Sequence, residues 1–380
     1  MWYMTEERQM LKNMVAEFAE TEVRPFVKEM EENGTFPQHL ITRAGELGIL
    51  GLCYPEEIGG QGVDWINLAI AIEELSKVSS CAALLIMMAA VGSTLSIYLV
   101  GTEEQKEKCL YPVIRGETNL AMSLCEPAGS SNYGSWQTTA VQDGDEWVIN
   151  GGKIFCTLTG QCDYYGILAK TGEYNPMTME GITVFLVHKD TPGFKLGRIE
   201  DKLAWGGSAT GTLILNDVRV PSSMILGEPN KGMMAFGSTG PQTYAYLAVL
   251  SLGTAEAAYE MALKYCKERA HAGGGTLFQN YEVVRHHLSN MYMEVEACRS
   301  LMYNCMEQMQ QGKFPLTEAM AVKVYAQKVA ESVASKALEL HGGNGLMKSC
   351  DIERYYREAK MLAIGGFSVD IIRDQLSWML

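Results

Sequence analysis

Apolar residues in this chain repeat with a helical period at both ends and with a β period in the middle. Near the N-terminus they recur every three or four positions, at Leu11, Met14, Val15 and Phe18. This spacing places them on one face of a helix. After about residue 120 the pattern changes to short β-type runs, such as Thr138–Val141 and Trp147–Ile149. The Asp-Gly-Asp segment between these two runs is typical of a β-hairpin turn.

The helical period returns after Gly232 and continues towards the C-terminus. One seam of apolar residues steps alternately by four and three positions, at Met291, Val295, Cys298, Met302, Cys305 and Met309. Such a seam is typical of packed helices rather than of a cofactor site. The sequence therefore predicts a mostly α protein in three parts, with a helical domain at residues 1–118, a β domain at 119–227 and a helical domain at 228–380.

The amino-acid composition argues against some classes of binding partner. The 380 residues carry a net charge of −14 and contain no basic stripe, so a nucleic acid is not expected as a partner. Ten scattered cysteines without a C-x-x-C pair indicate reduced thiols in a cytoplasmic protein and no metal site. No signal peptide is expected. Residues 81–100 carry no charge over a length that would span a bilayer, but acidic flanks and a Gly-Ser-Thr break favour a buried helix pair.

Two segments of the middle domain carry the clearest chemical signal. In Leu124–Asn132 (LCEPAGSSN), a proline and small residues predict a tight exposed turn that is followed by two serine hydroxyls. In Gly152–Thr157 (GKIFCT), an aromatic ring and a hydroxyl lie two positions apart. An aromatic face combined with short hydrogen-bond donors suits a flat cofactor that carries phosphates.

These two segments resemble the flavin-binding strands of the acyl-CoA dehydrogenase family. Further motifs of that family follow in order along the chain, at 101–106 (GTEEQK), 217–221 (DVRVP), 340–345 (LHGGNG) and 353–360 (ERYYREAK). The resemblance implies a helical N-terminal domain, a β-barrel-like middle domain and a C-terminal four-helix bundle. It also implies FAD as the cofactor, an acyl-CoA thioester as the substrate, an electron-transfer flavoprotein as the electron acceptor, and a homotetramer.

The resemblance assigns cofactor contacts to individual residues. Phe155 matches the aromatic residue that packs against the isoalloxazine, and Thr157 matches the hydroxyl near the reactive flavin nitrogen. Ser131 matches a phosphate-binding hydroxyl, while Cys125 replaces a threonine beside the flavin pyrimidine edge, which gives a weaker donor. Two further contacts are expected to cross a subunit interface to the partner's FAD, at Arg269 and at the glycine pair Gly342 and Gly343.

The catalytic base cannot be identified from the sequence. In the family, a glutamate removes the α-proton of the thioester, and the two positions known to carry it align with Gly366 and Thr243. Neither residue is a carboxylate, although proton abstraction of this kind contributes roughly 10²–10⁴ in rate. Phe367 also replaces a small glycine beside the flavin.

Three interpretations stay open at this point. The chain is an active FAD-dependent acyl-CoA dehydrogenase-type oxidoreductase with a base elsewhere or with a variant chemistry, such as that of a decarboxylating substrate. Alternatively, it is a non-catalytic FAD-binding subunit of a heteromer with a homologue, or a scaffold protein that has lost FAD. The bulk of Tyr244, Tyr246, Phe367 and Trp205 indicates a cyclic or aromatic acyl group, and the direction of the reaction is not determined.

Overall fold

The computed structural model describes residues 2–380 and has a helical part, a sheet and a second helical part in that order. Within these residues the α-helices are α1 (Glu6–Phe18), α2 (Val27–Asn33), α3 (Gln38–Glu46), α4 (Trp65–Val78), α5 (Ser80–Met87), α6 (Thr94–Val100), α7 (Glu103–Cys109), α8 (Tyr111–Ile114), α9 (Gly232–Gly237), α10 (Gly240–Glu268), α11 (Leu277–Asn280), α12 (Glu282–Gln310), α13 (Leu316–His341), α14 (Ile352–Ile364) and α15 (Val369–Ser377). The strands are β1 (Leu120–Ser123), β2 (Thr139–Asp143), β3 (Glu146–Thr157), β4 (Tyr164–Asn175), β5 (Glu180–His188), β6 (Phe194–Ile199), β7 (Thr210–Pro221) and β8 (Ile225–Leu226).

The N-terminal helices form around α4, whose side chains are buried over most of its length. Asp64 starts this helix by accepting hydrogen bonds from the backbone N–H groups of Ile66 and Asn67, both at 2.9 Å, as an N-cap residue does. The uncharged segment Ser80–Val100 that follows is long and apolar enough to cross a membrane, and 72% of it is buried inside the protein. It comprises α5 and α6 joined by a π-helical turn, as expected for a buried helix pair.

The middle domain is a sheet with the strand order β6-β7-β3-β2-β4-β5-β8, and β1 pairs with β4. The predicted hairpin is confirmed, since β2 and β3 pair antiparallel from Thr139 opposite Asn150 to Asp143 opposite Glu146. Its turn places Gly144 at a φ of +65°, a left-handed conformation that glycine adopts without strain. The short β1 strand runs parallel to β4 and was not predicted, because four residues give too little periodicity.

The C-terminal part packs the long helices α10, α12, α13 and α14 into a bundle. Every member of the predicted apolar seam on α12 is buried, which confirms that it is a packing surface. The bundle also packs on α4, at a point where Gly253 of α10 allows a close approach. A Cβ atom there would lie 2.5 Å from the Glu73 carbonyl oxygen, so a larger residue would push the two helices apart.

A buried charge network joins the two helical parts. The Arg299 guanidinium of α12 lies 3.1 Å from Glu73 of α4 and 2.8 Å from Glu256 of α10, and Lys77 approaches Glu256 to 2.8 Å. The Tyr303 hydroxyl donates a further hydrogen bond to Glu73 at 2.6 Å. Because each buried charge has a partner of opposite sign, removing one of them would leave the other uncompensated. The network therefore fixes how the N-terminal helices lie on the bundle.

Candidate functional site

The two segments that the sequence predicts to bind a flavin lie side by side. The backbone N–H of Ile154 donates to the carbonyl oxygen of Cys125 at 2.9 Å. Beneath this contact the fully buried Lys153 ammonium donates to Glu126 at 2.6 Å and to the Leu124 carbonyl at 3.2 Å. Burial alone would raise the pKa of Glu126, but the Lys153 charge holds that pKa below its usual value. The pair thus ties the 124–132 turn to β3.

Phe155 is held outwards by an irregularity in β3. The register with β7 shifts between Lys153 and Cys156, and Phe155 has a φ of +54°, which is unusual for an aromatic residue. A bulge of this kind re-aims a side chain, and the Phe155 ring is 60% exposed as a result. A strained backbone that presents a bare aromatic ring indicates a surface built to be covered by a flat ligand.

The hydrogen-bonding groups beside this ring are available to a ligand. Ser131 is exposed and Thr157 is half-buried, and within residues 2–380 neither hydroxyl has a hydrogen-bond partner. Cys125 is half-buried, and burial raises the pKa of its thiol, so it is a neutral weak donor. An exposed ring, two free hydroxyls and a thiol at neighbouring positions fit the ring system and phosphates of a bound flavin dinucleotide.

Arg269 and the glycine pair lie on two segments that contact each other, the end of α10 and the turn after α13. Arg269 is the exposed residue that ends α10, and its carbonyl accepts from Leu277 at 3.1 Å across a tight turn. Four residues earlier, the Tyr265 hydroxyl accepts from Asn344 at 3.0 Å, next to Gly342 and Gly343. Both glycines are exposed, and a side chain at either would meet nothing within 4 Å.

The structure does not bring these two sets together within one chain. Among residues 2–380, no hydrogen bond, ion pair or ring contact joins Arg269 to Ser131, Phe155 or Thr157. The open space over Gly342 and Gly343 is compatible with an approach by another molecule. The assignment of Arg269, Gly342 and Gly343 to a neighbouring subunit's cofactor stays a prediction.

The two positions aligned with the family's base lie on segments that contact each other through aromatic rings. The ring of Phe367 lies 5.6 Å from that of Tyr244, the residue after Thr243, and 6.4 Å from that of Phe236. A Cβ atom on Gly366 would lie 2.7 Å from Leu247 of α10. The loop after α14 therefore meets the first turns of α10.

Lys323 supports this loop, a role that the sequence does not reveal. Its fully buried ammonium donates to the carbonyl oxygens of Phe367 at 2.7 Å and Leu362 at 3.4 Å. Burial lowers the pKa of Lys323 to about 8. These contacts hold a strained residue, since Phe367 has a φ of +78°, a conformation that costs energy for a residue other than glycine. The only sequence signal is a lysine inside an otherwise apolar stretch of helix.

Tyr244 also connects this cluster to the middle domain. Burial first, and then the neighbouring Tyr244, Tyr174 and Cys125 groups, raise the pKa of Tyr133 to about 12. Tyr133 comes two residues after Ser131 in the predicted flavin turn, and its ring lies 5.1 Å from that of Trp136. The Tyr244 ring thus lies beside the loop that carries Gly366, and its phenol is within electrostatic range of Tyr133.

Two of the aromatic residues expected at the site lie elsewhere in the packing. Tyr246 is fully buried and donates to the Trp65 carbonyl at 2.9 Å, so the expectation that it lines the site is wrong. Residues two apart on a helix point in nearly opposite directions, and Tyr244 and Tyr246 are such a pair. Trp205 is buried and donates to Ser80 at 2.7 Å, with its ring edge against Gly365. Trp205 therefore packs against the loop that follows α14 and supports it.

A separate cleft of about 490 Å³ lies between α1, α4, α10 and α14. It contains none of the predicted cofactor or base positions. Its charged walls are largely paired with one another, as in Arg24 with Glu20 and Lys77 with Glu74. The cleft also holds Glu260 and Lys264, which form no ion pair among residues 2–380. Because none of the predicted cofactor or base positions lies there, the chemistry is placed at the aromatic cluster instead.

Family comparison agrees with the arrangement of parts. Residues 5–117 match the acyl-CoA dehydrogenase N-terminal domain, residues 121–218 the middle domain and residues 230–377 the C-terminal domain. The chain belongs to the acyl-CoA dehydrogenase family. It is accordingly an FAD-dependent oxidoreductase of acyl-CoA thioesters, and the predicted fold class is confirmed.

Individual relatives of this family member align over nearly its full length. Subunit CarC of the caffeyl-CoA reductase–Etf complex of Acetobacterium woodii is 34% identical over 100% of this chain and 99% of its own. The 3-(aryl)acrylate reductase of Clostridium sporogenes is 35% identical over 95% of both. The structure of butyryl-CoA dehydrogenase from Megasphaera elsdenii superposes with a TM-score of 0.93 at 31% identity, covering 99% of this chain and 98% of that one.

Proposed function

We propose that this protein transfers electrons to or from the α,β carbon–carbon bond of a CoA thioester whose acyl group carries an aromatic ring. The observation that carries this proposal is the cluster of Phe236, Tyr244 and Phe367 beside the two base positions. An acyl group with a ring gains edge or offset contacts there, each worth about 0.5–1.5 kcal/mol beyond simple burial. Two relatives, named as reductases of caffeyl-CoA and of aryl acrylates, support the same class of substrate.

FAD supplies the two-electron chemistry at the β-carbon when it is bound. In our proposal Phe155 covers one side of its ring system, Thr157 and Cys125 offer hydrogen bonds along the ring edges, and Ser131 binds phosphate. Support comes from the exposure of the Phe155 ring and from the free hydroxyls beside it. The chain's own contribution is to position the thioester and to exclude water from it.

Electron exchange with an electron-transfer flavoprotein is part of this proposal. The relative from Acetobacterium woodii is named as a subunit of a complex with Etf. A second structural neighbour, with a TM-score of 0.94 and 34% identity, is described as an electron-transferring flavoprotein of Acidaminococcus fermentans. The cytoplasmic setting that we propose for this exchange is supported by the ten free cysteines, eight of them buried.

Assembly into a homotetramer, or into a heteromer with a homologue, completes the proposed site. The bundle leaves large apolar side chains exposed on α12 and at the C-terminus, namely Val283, Tyr292, Met293, Leu301, Trp378 and Leu380. Surfaces of this kind mark sites of association. In the assembly, Arg269, Gly342 and Gly343 of one subunit would contact the FAD of its neighbour, with Arg269 as a bidentate partner for pyrophosphate.

A non-catalytic subunit is the second candidate, and the observation that favours it is the absence of a carboxylate at Gly366 and Thr243. Purified FAD-loaded protein distinguishes the two functions in an anaerobic steady-state assay with cinnamoyl-CoA, 3-phenylpropionyl-CoA, crotonyl-CoA and butyryl-CoA. Turnover by the chain alone, with kcat/KM at least tenfold higher for the aryl thioesters, is the expected result. Turnover that requires a co-expressed homologue would establish the non-catalytic subunit instead.

A further inference from the structure

The proposed function leaves the α-proton without an assigned donor or acceptor. Oxidation of the α,β bond removes a proton from the α-carbon, and reduction adds one there. The two positions that the family alignment provides hold Gly366, which has no side chain, and Thr243, whose hydroxyl has only a marginal contact with Thr239 at 3.5 Å. A group elsewhere in the cluster must handle the proton, and the inference that follows rests on the proposed function.

Most proton-bearing groups around the loop are already engaged. The Lys323 ammonium donates to two backbone carbonyls, and the Trp205 indole N–H donates to Ser80. Phe236 and Leu247, which complete the contacts of the loop with the helices, carry no exchangeable proton on their side chains. These residues support the loop or fill space.

Tyr244 is the member of the aromatic cluster that carries an exchangeable proton on its side chain. Its ring contacts Phe367, and its phenol lies close enough to Tyr133 to influence that residue's ionisation. The Tyr244 hydroxyl has no hydrogen-bond partner among the described residues, and the side chain is only partly buried. A phenol O–H without a partner is therefore present beside the loop that carries Gly366.

The surroundings of the Tyr244 phenol determine whether it acts as an acid or as a base. Burial raises the pKa of Tyr244 above its usual value, so the group is protonated at neutral pH. A protonated phenol is a poor base for an α-hydrogen but a competent acid towards the carbanion-like α-carbon that forms when the β-carbon accepts hydride. The protonated form that is present at neutral pH is thus the form that reduction of the double bond requires.

We infer that Tyr244 is the catalytic acid that protonates the α-carbon during reduction of an arylacryloyl thioester. The β-carbon would take a hydride supplied by bound reduced FAD, for which a reduced electron-transfer flavoprotein would supply the two electrons. The O–H bond of Tyr244 breaks as the α-C–H bond forms, and the carbon–carbon double bond becomes single. The phenolate then regains a proton from water, which restores the acid for the next turnover.

The test replaces Tyr244 by phenylalanine, which removes only the phenol oxygen. FAD-loaded Tyr244→Phe is reduced anaerobically and mixed with cinnamoyl-CoA, with Tyr259→Phe as a matched control because Tyr259 lies on the same helix outside the site. We expect FAD content and the Kd for cinnamoyl-CoA, read from the perturbed spectrum of oxidised FAD, to stay within threefold of wild type. The single-turnover rate of reduction falls at least about 100-fold in Tyr244→Phe alone. A rate within fivefold of wild type would overturn the role of Tyr244.

A second measurement uses the unaltered protein and does not depend on the folding of a variant. Oxidised wild-type holoenzyme is incubated with 3-phenylpropionyl-CoA in D₂O, and deuterium at the α-carbon is measured by mass spectrometry. With a protonated phenol and no base, we expect exchange within fivefold of that in a parallel sample without protein. Exchange at least 100-fold faster than in that sample would reveal a base and overturn the inference. If wild type reduces neither cinnamoyl-CoA nor crotonyl-CoA, the proposed function itself fails.

Discussion

Gly366 occupies a position where the surrounding atoms tolerate a side chain only after a small movement. An added Cβ would meet the terminal methyl carbons of Leu247 at 2.7 and 2.9 Å, and these lie at the end of a flexible side chain. The φ of +63° adds strain of about 1 kcal/mol for a residue other than glycine. The surrounding atoms therefore do not form a rigid wall that would exclude a carboxylate side chain at residue 366.

Restoring the carboxylate should restore oxidation. We expect Gly366→Glu combined with Leu247→Ala, which makes the space, to dehydrogenate straight-chain acyl-CoA thioesters at a rate at least tenfold above wild type, because a base then stands beside the α-carbon. Flavin bleaching by butyryl-CoA under anaerobic conditions measures this gain, and Leu247→Ala alone is the control. A folded, FAD-loaded double variant without activity would show that residue 366 does not face the α-carbon.

Local motifs were predictable at this scale, whereas contacts distant in sequence were not. The 124–132 and 152–157 segments could be matched from the sequence because each motif is continuous. Lys323 could not, because its acceptors are backbone carbonyls 39 and 44 residues away. Tyr244 and Tyr246 look equivalent in the sequence, and only the helical rotation between them separates a site residue from a core residue.

Lys153 and Glu126 tie two elements together, and breaking the pair should be costly. Both side chains are almost completely buried, so Lys153→Met leaves a buried carboxylate without its charge partner at a cost of about 3 kcal/mol. Urea unfolding measures this loss. Lys189→Met is the matched control, because its pair with Asp163 is exposed and should contribute less than about 1 kcal/mol.

The pH dependence of the same variant provides a second check. The folded-state pKa of Glu126 is lowered from 4.5, so its contribution to stability is present at neutral pH and disappears as the pH falls through that lowered value. The difference in unfolding free energy between wild type and Lys153→Met should therefore shrink below about pH 4. A difference that stays constant down to pH 3 would contradict a charge pair.

Lys323 of α13, which donates to the carbonyl oxygens of Leu362 and Phe367, should make the stability of the protein depend on pH in the alkaline range. The pKa of Lys323 is lowered from 10.5 to about 8. Below pH 8 the buried Lys323 charge therefore destabilises the folded state, and this destabilisation disappears as the pH rises towards 10.5. Relative to Lys323→Met, wild type should gain about 2 kcal/mol of stability between pH 8 and pH 10. Urea unfolding across this pH range measures the difference in unfolding free energy between wild type and Lys323→Met. A difference that stays constant would contradict a buried charge at Lys323.

At the scale of elements, long regular patterns were predicted correctly and short or mixed ones were missed. The apolar seam of α12 extends over five turns and was read without ambiguity. The β4 strand was missed because its first half is buried on both faces while its second half is polar, so neither half shows the alternation of a half-buried strand.

For the whole molecule, the lack of any hydrogen bond, ion pair or ring contact between Arg269 and Phe155 among residues 2–380 is the main clue to assembly. We expect a mass of four 41.9 kDa chains in light scattering. Arg269→Gln should lower the FAD bound per chain at least threefold without changing that mass, since a planar charged fork to pyrophosphate is lost. Lys267→Gln, two residues earlier and also exposed, is the control. A monomer that binds FAD fully would contradict the shared site.

The order of the three parts could be predicted from the change in hydrophobic period, but the meeting of their side chains could not. The site is built where the 124–132 turn, the start of α10 and the loop after α14 converge, and these segments are more than a hundred residues apart. The hydrophobic periodicity of the sequence does not indicate which of these distant segments meet. The family resemblance supplied it, and the structure shows which departures from the family lie next to one another.

The most direct test of reduction of an aryl thioester is an anaerobic titration of the reduced holoprotein with cinnamoyl-CoA, followed by flavin absorbance. The predicted result is stoichiometric return of the oxidised flavin spectrum with formation of 3-phenylpropionyl-CoA, and at least tenfold slower oxidation by crotonyl-CoA. Reduced flavin that cinnamoyl-CoA leaves unchanged, while crotonyl-CoA oxidises it, would contradict the aromatic substrate. Reduced flavin that neither thioester oxidises would contradict catalysis by this chain alone.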